Sequence, residues 1–180
     1  MWHTFFDTAQ VLSALGLQSV MSDVADFGCG YGTFTIPAAR IVRGSVHAFD
    51  IEEDMIAATR EKAVLFNLAN VRLNRRDFVA EGTGLPGASV DYAMLFNILH
   101  MENPEILLAE ALRILRDGGI LGIMHWNYDP ETPRGPPMAI RPKPEQCAKW
   151  TEEAGFLIVK RFVALPPYHY GIIAKKGQNR

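Results

Sequence analysis

Asp26-Phe27-Gly28-Cys29-Gly30-Tyr31-Gly32 ends an apolar run, Asp23 to Phe27, and leads into a helical pattern near Phe34 to Ile41. A strand that breaks at closely spaced glycines and restarts as a helix makes a turn where the backbone can approach a ligand. Pro37 suits the helix only if it falls in the first turn, where its missing N–H is not needed.

The same alternation continues outward from this turn. Ser45 to Phe49, Val71 to Asn74, Tyr92 to Phe96 and Ile120 to Trp126 read as further strands, the fourth apolar enough to be buried on both faces. Glu52 to Phe66 reads as a helix whose acidic start, Glu52, Glu53 and Asp54, suits the positive end of its dipole. Pro104 opens another helix, for which Arg113, Arg116, Gly118 and Gly119 supply a basic last turn and a stop. Phe156 to Ala164 and Tyr168 to Ala174, joined by Pro166 and Pro167, make an antiparallel pair behind a helix from Pro144 to about Ala154. A leading helix over Asp7 to Leu15 turns Val11, Leu12 and Leu15 inward and ends at Gly16. Such βα alternation predicts a doubly wound α/β domain with a mostly parallel sheet.

The chain has 180 residues, 48% hydrophobic and 21% charged, which suits one domain with a sizeable core. Within it, residues 1–21 form an N-terminal helical cap. Residues 128–144 form a proline-rich loop or lid, with six of the eleven prolines between Asp129 and Pro144. A net charge of -2 and a pI near 6.2 argue against a protein built to neutralise nucleic-acid phosphates or to lie on an anionic membrane. No run is long enough to span a bilayer, and Asp7 and Gln10 interrupt the only apolar stretch at the N-terminus. Cys29 and Cys147 are too far apart in sequence to suggest a disulfide framework, so a reduced, cytoplasmic setting is expected. No C-x-x-C or H-x-x-x-H pair offers a zinc ligand set.

Asp50 ends the second strand, where a carboxylate can accept from both ribose hydroxyls of an adenosine. That feature and the glycine turn fit NAD as well as S-adenosylmethionine. The dinucleotide fingerprint, however, wants Gly or Ala three positions after its second glycine, and Thr33 stands there. Asp26, two residues before the first glycine, would repel a pyrophosphate but suits a cationic methionine ammonium.

Residues 22–127 resemble the class I S-adenosylmethionine-dependent methyltransferase family, in particular its small-molecule branch related to quinone biosynthesis. Asp26 to Gly32 is similar to the family's acidic-x-Gly-x-Gly-x-Gly motif, and Asp50-Ile51 to its ribose-binding acid with an apolar neighbour. Arg76-Asp77-Phe78 resembles the adenine-edge motif, Asp91 to Asn97 the strand-four motif, and Leu99-His100 the pair that follows it. Glu110 to Gly119 resembles the Glu-x-x-Arg-x-Leu-x-x-Gly-Gly block, with Asp117 where proline is common, and Gly155-Phe156 resembles the start of strand six. The resemblance implies a seven-stranded sheet of order 3-2-1-4-5-7-6 with strand seven antiparallel, and S-adenosylhomocysteine as product. It also implies that Asp26, Gly28, Gly30, Gly32, Asp50, Ile51, Asp77, Phe78 and Asn97 line the cofactor site.

Methyl transfer needs nucleophile, methyl carbon and sulfur in line. Where a small-molecule acceptor must lose a proton, His100 and His125 are the candidate bases, both at C-terminal strand ends. The acceptor is expected above Asn97 to Met101, Trp126 and Asn127. Trp126, Tyr128, Tyr168 and Tyr170 are candidate walls, or equally core or rim, and Arg134, Arg141 and Lys143 read as a solvated basic loop that could also offer charge to an anionic acceptor. A non-catalytic methyltransferase-like module and an NAD-dependent oxidoreductase remain as alternatives.

Overall fold

The computed structural model describes residues 7–178. Residues 1–6 of the expected N-terminal cap lie outside the described residues. The elements in order are α1 (Thr8–Ala14), β1 (Val24–Phe27), α2 (Thr35–Ile41), β2 (Val46–Asp50), α3 (Glu53–Leu65), β3 (Val71–Arg75), β4 (Val90–Phe96), α4 (Pro104–Ile114), β5 (Leu115–Trp126), α5 (Pro144–Glu153), β6 (Phe156–Leu165) and β7 (His169–Lys176). They build a seven-stranded sheet of order β3-β2-β1-β4-β5-β7-β6, in which β7 runs antiparallel to both β5 and β6. The other pairs are parallel. Order and direction are those the family resemblance implies.

Helices cover both faces because the central strands are apolar on both. Along β4 the side chains alternate: Tyr92, Met94 and Phe96 pack with α1 and α2, while Ala93 and Leu95 pack with α4 and α5. On the first face Val11, Leu12 and Leu15 are buried as expected, and Asp7 caps α1 by accepting from the Ala9 and Gln10 amides. The Tyr92 hydroxyl donates to the Leu15 carbonyl at 3.0 Å, which ties α1 to the sheet. A Cβ at Gly122 would stand 2.0 Å from that hydroxyl oxygen, so only glycine fits there.

One expectation fails at the end of α4. The helix stops at Ile114, and Arg116, Gly118 and Gly119 belong to β5, not to a helical last turn. Leu115 pairs with Val90, the register then slips, and regular pairing resumes at Ile120 opposite Tyr92. The intervening residues form a bulge in which Gly118 adopts φ +75°. Arg116 uses its position to donate to Asp91 Oδ1 at 2.5 Å and to approach Asp23 at 3.6 Å.

β1 lies between β2 and β4, the point where the chain turns from building one half of the sheet to building the other. Ligands of open α/β sheets bind beyond the C-terminal strand ends at this switch. The Asp26 to Gly32 turn occupies it.

Candidate functional site

The turn after β1 is held by β2 and α3. Gly28 and Cys29 both donate their amides to the Phe49 carbonyl at 2.9 Å, and Gly30 donates to Asp50 Oδ2 at 2.8 Å. From α3, the Thr59 hydroxyl donates to the Gly30 carbonyl at 2.8 Å and Lys62 Nζ to the Tyr31 carbonyl at 2.7 Å. Thr59 and Lys62 carry no local sequence signal and are visible only in the fold. The three glycines have positive φ but different surroundings. A Cβ on Gly28 would meet Ile98 at 2.9 Å and one on Gly32 would meet Thr59 at 2.9 Å, whereas Gly30 has nothing within 4 Å. Packing therefore explains two of the glycines, and the space over Gly30 is open.

Two cavities flank the turn and share Gly28. The first, about 250 Å³, is lined among others by Asp26, Gly30, Tyr31, Phe34, Met55 and Asn97. Asp26 is 3% exposed and accepts from the Thr35 hydroxyl at 2.6 Å. Burial, partly offset by that hydrogen bond and reinforced by the nearby Asp50 charge, pushes its carboxyl up to about 6. Asn97 sits in the left-handed region at φ +55°, and its buried side-chain oxygen has no hydrogen-bond partner among the described residues. An acid short of counter-charge and an amide oxygen short of a donor thus line one cavity, a pair that suits a cationic hydrogen-bond donor.

The second cavity, about 190 Å³, is lined by Asp50, Ile51, Arg76, Asp77, Phe78 and Ile98 among others. Asp50 Oδ1 accepts from the Glu52 amide at 3.1 Å, so both of its oxygens already brace backbone. Each oxygen retains a second lone pair. Asp77 Oδ1 accepts from the Val79 and Ala80 amides at 3.2 and 3.0 Å, a turn that leaves Oδ2 unused. Phe78 is buried and stands edge-on to Phe27 at 5.6 Å, so it belongs to the core as well as to the cavity wall. Ile51 is 52% exposed, a large apolar side chain at the rim.

Cys29 lines the first cavity, but burial, then the charges of Asp26 and Asp50, raise its thiol far above the ordinary range. The thiol form, not the nucleophilic thiolate, is favoured there. Thr35, Met55 and Ile98 join the site without having been singled out in the sequence, since their contacts depend on tertiary placement.

Beyond β4 and β5, His125 Nε2 lies 3.4 Å from His100 Nδ1. His125 is fully buried, and burial, with the neighbouring His100 next, pushes its imidazole down to about 3. His100 is half-buried, and desolvation lowers it. Of the expected aromatic walls, Trp126 and Tyr170 are buried in the structure, Tyr170 donating to the Pro142 carbonyl at 3.0 Å, while Tyr128 is exposed. Arg141 is also buried. Its guanidinium donates to the carbonyls of Asn127, Asp129, Arg134 and Pro136 and to the Thr132 hydroxyl, so it braces the proline-rich loop instead of offering charge to a ligand. Lys143 stands over the Tyr128 ring at 4.8 Å.

A glycine turn at the switch point, with acids at the ends of β1 and β2, an Asp-Phe pair after β3 and a cavity lined by a buried acid, fits an adenosyl group carrying a cationic tail. The chain belongs to the methyltransferase-domain family, whose profile matches residues 24–119. It is 41% identical over 109 residues to a ribosomal protein L11 methyltransferase of Methylococcus capsulatus, a match covering 60% of this chain and 34% of that protein. The chain thus spans about a third of the length of the curated relatives it matches. Among solved structures, a SAM-dependent methyltransferase from Aquifex aeolicus superposes with a TM-score of 0.86 at 26% identity, covering 97% of this chain and 92% of that one. The [4+2]-cyclase SpnF superposes with a TM-score of 0.80 at 18% identity over 96% and 80%, a likeness of fold alone. A domain of this family and fold takes S-adenosylmethionine as cofactor and releases S-adenosylhomocysteine. The residues present fit that group, since Asp26 and the unsatisfied Asn97 oxygen suit its ammonium and Asp50 suits its ribose.

Proposed function

We propose that this protein transfers a methyl group from S-adenosylmethionine to a small-molecule acceptor. The observation that carries the reading is the pairing in one cavity of the buried Asp26 carboxyl with the unpartnered Asn97 oxygen, next to an open Gly30. Asp26 and Asn97 hold the methionyl end, and Gly30 leaves room for the chain between the two cavities. Asp50 would accept from the ribose hydroxyls and Asp77 Oδ2 from the adenine amino group, and Ile51 and Phe78 would line the ring pocket. Gly28 and Gly32 keep the turn close to Ile98 and Thr59. The bound cofactor supplies an electrophilic methyl on a sulfonium, so the protein's contribution is mainly alignment and exclusion of water.

His100, three residues after Asn97 on the same turn, is the side chain that meets the acceptor, with His125 buried behind it. Support for a small acceptor is the loop of residues 128–144, which Arg141 holds against the end of β5. The Leu99-His100 pair and the Glu110 to Gly119 block support the quinone-biosynthesis-like branch.

A second reading, a protein acceptor, is favoured by the relatives named ribosomal protein L11 methyltransferase. Incubation with isotopically methyl-labelled cofactor separates the two readings. Label in a panel of phenols and hydroxyquinones, with purified L11 unlabelled, supports the small-molecule acceptor; label in L11 alone overturns it.

A further inference from the structure

The two histidines beyond β4 and β5 share one hydrogen bond, and its direction decides what His100 can do. At 3.4 Å between His125 Nε2 and His100 Nδ1, one nitrogen must carry the proton. If His100 donated from Nδ1, the proton of neutral His125 would sit on Nδ1, which is buried and makes no well-formed hydrogen bond among the described residues, although the Trp126 backbone carbonyl stands beside the ring. A buried unpaired donor is rarer in proteins than a buried unpaired acceptor. Neutral imidazole also prefers its proton on Nε2, and this preference is met in both rings only when His125 is the donor.

The surroundings keep His125 neutral. It is wholly buried, its ring centroid lies 6.3 Å from that of Tyr170, and it feels the positive field of Arg141. His169, stacked on Trp126 at 4.1 Å, is itself held neutral by burial and then by Arg141. Among the described residues, no carboxylate takes part in the hydrogen bonds of Arg141.

We propose that His125 donates its Nε2 proton to His100 Nδ1 and thereby fixes His100 as an N–H donor to the methyl acceptor, not as a base that removes its proton. His125 is then a positioning residue that never touches the acceptor. With its Nδ1 lone pair occupied, His100 keeps a proton on Nε2, on the other side of a half-buried ring. The acceptor class this selects presents a hydrogen-bond-accepting oxygen, a carboxylate, carbonyl or phenolate, and needs no proton removed by the protein. The inference rests on the methyl-transfer reading for its substrate meaning, but the direction of the hydrogen bond stands on its own.

Long-range proton–nitrogen NMR of the protein tests it, with His100→Gln used to assign the His100 signals. The expected result at neutral pH is a protonated Nε2 and a bare Nδ1 on His100, with its titration midpoint below the ordinary histidine value. His125→Leu frees the Nδ1 lone pair and raises that midpoint by about one pH unit, whereas His125→Gln, which keeps an N–H donor, leaves it near the wild-type value. A proton on His100 Nδ1 in the wild type, or a fall in the midpoint of His125→Leu, overturns the proposal. The wild-type spectrum decides the question even if His125→Leu fails to fold. Calorimetric titration of the same samples with S-adenosylmethionine is a separate reading: loss of cofactor binding with the tautomers as expected counts against the proposed function, not against the hydrogen bond.

Discussion

The Gly30 amide donates to Asp50 Oδ2 at 2.8 Å, so the acid that ends β2 also fixes the turn that follows β1. One side chain thereby connects the two cavities, and a change at Asp50 acts on ligand and turn together. The other residues of the site separate these effects.

Gly30 and Gly32 differ most clearly. Gly30→Ala places a methyl in open space and costs mainly backbone strain, of order 1–2 kcal/mol in the left-handed region. Gly32→Ala drives a Cβ to 2.9 Å from Thr59, the residue that anchors the turn. Calorimetric titration should show Gly30→Ala losing most of its affinity for S-adenosylhomocysteine while retaining a cooperative melt. Gly32→Ala should show a clearly lower melting temperature before any ligand is added.

Asp26 opposes stability to binding. Its carboxyl is raised from 3.8 to about 6, so the stability it contributes without ligand is present below the lower value and is lost as pH rises through the upper one. A rise of that size corresponds to a loss of about 3 kcal/mol once the carboxyl is fully ionised. Asp26→Asn should therefore melt higher than the wild type near pH ~8 and lose that advantage near pH ~4. The same variant should bind the cationic cofactor poorly. In the wild type, cofactor affinity should fall as pH drops through about 6.

Glu110 shows the opposite sign. Burial would raise its carboxyl, but hydrogen bonds from Arg113 and from the Thr83 hydroxyl and amide hold it down, at about 2. This stability is present above the ordinary carboxylate value and is lost as pH falls toward 2. Because Arg113 is partly exposed, Glu110→Gln should cost about 2 kcal/mol near neutral pH, less than the full lowering implies. Denaturant melts should show the penalty shrinking in acid.

Arg141 holds the proline-rich loop through backbone carbonyls, and a lysine cannot reproduce its several directed donors. Arg141→Lys should leave the sheet intact and expose residues 129–140 to proteolysis, measured as new cleavage next to Arg134 under limited trypsin.

What the sequence made legible was whatever local spacing encodes. The glycine turn, the acid after the second strand and the apolar alternation of β4 each lie within a few residues, so strand, turn and cavity follow from one another. Arg116, Gly118 and Gly119 misled because a basic residue followed by glycines marks a helix end and a strand bulge alike. Only the Asp91 and Asp23 carboxylates, brought close by the sheet, distinguish the two. Thr35, Thr59 and Lys62 gave no signal, since a hydroxyl or ammonium on a helix acquires its role from the turn it meets. Arg141 reads as a solvated base among prolines, and only the folded loop reveals a guanidinium enclosed by carbonyls.

The most direct test is calorimetric titration of the wild type and Asp50→Ala with S-adenosylmethionine, S-adenosylhomocysteine and NADH. The account predicts binding of both adenosyl ligands and none of NADH. Asp50→Ala should weaken the adenosyl ligands by about 1–3 kcal/mol, roughly 5- to 150-fold. Binding of NADH alone, or adenosyl binding that Asp50→Ala leaves unchanged, would contradict it.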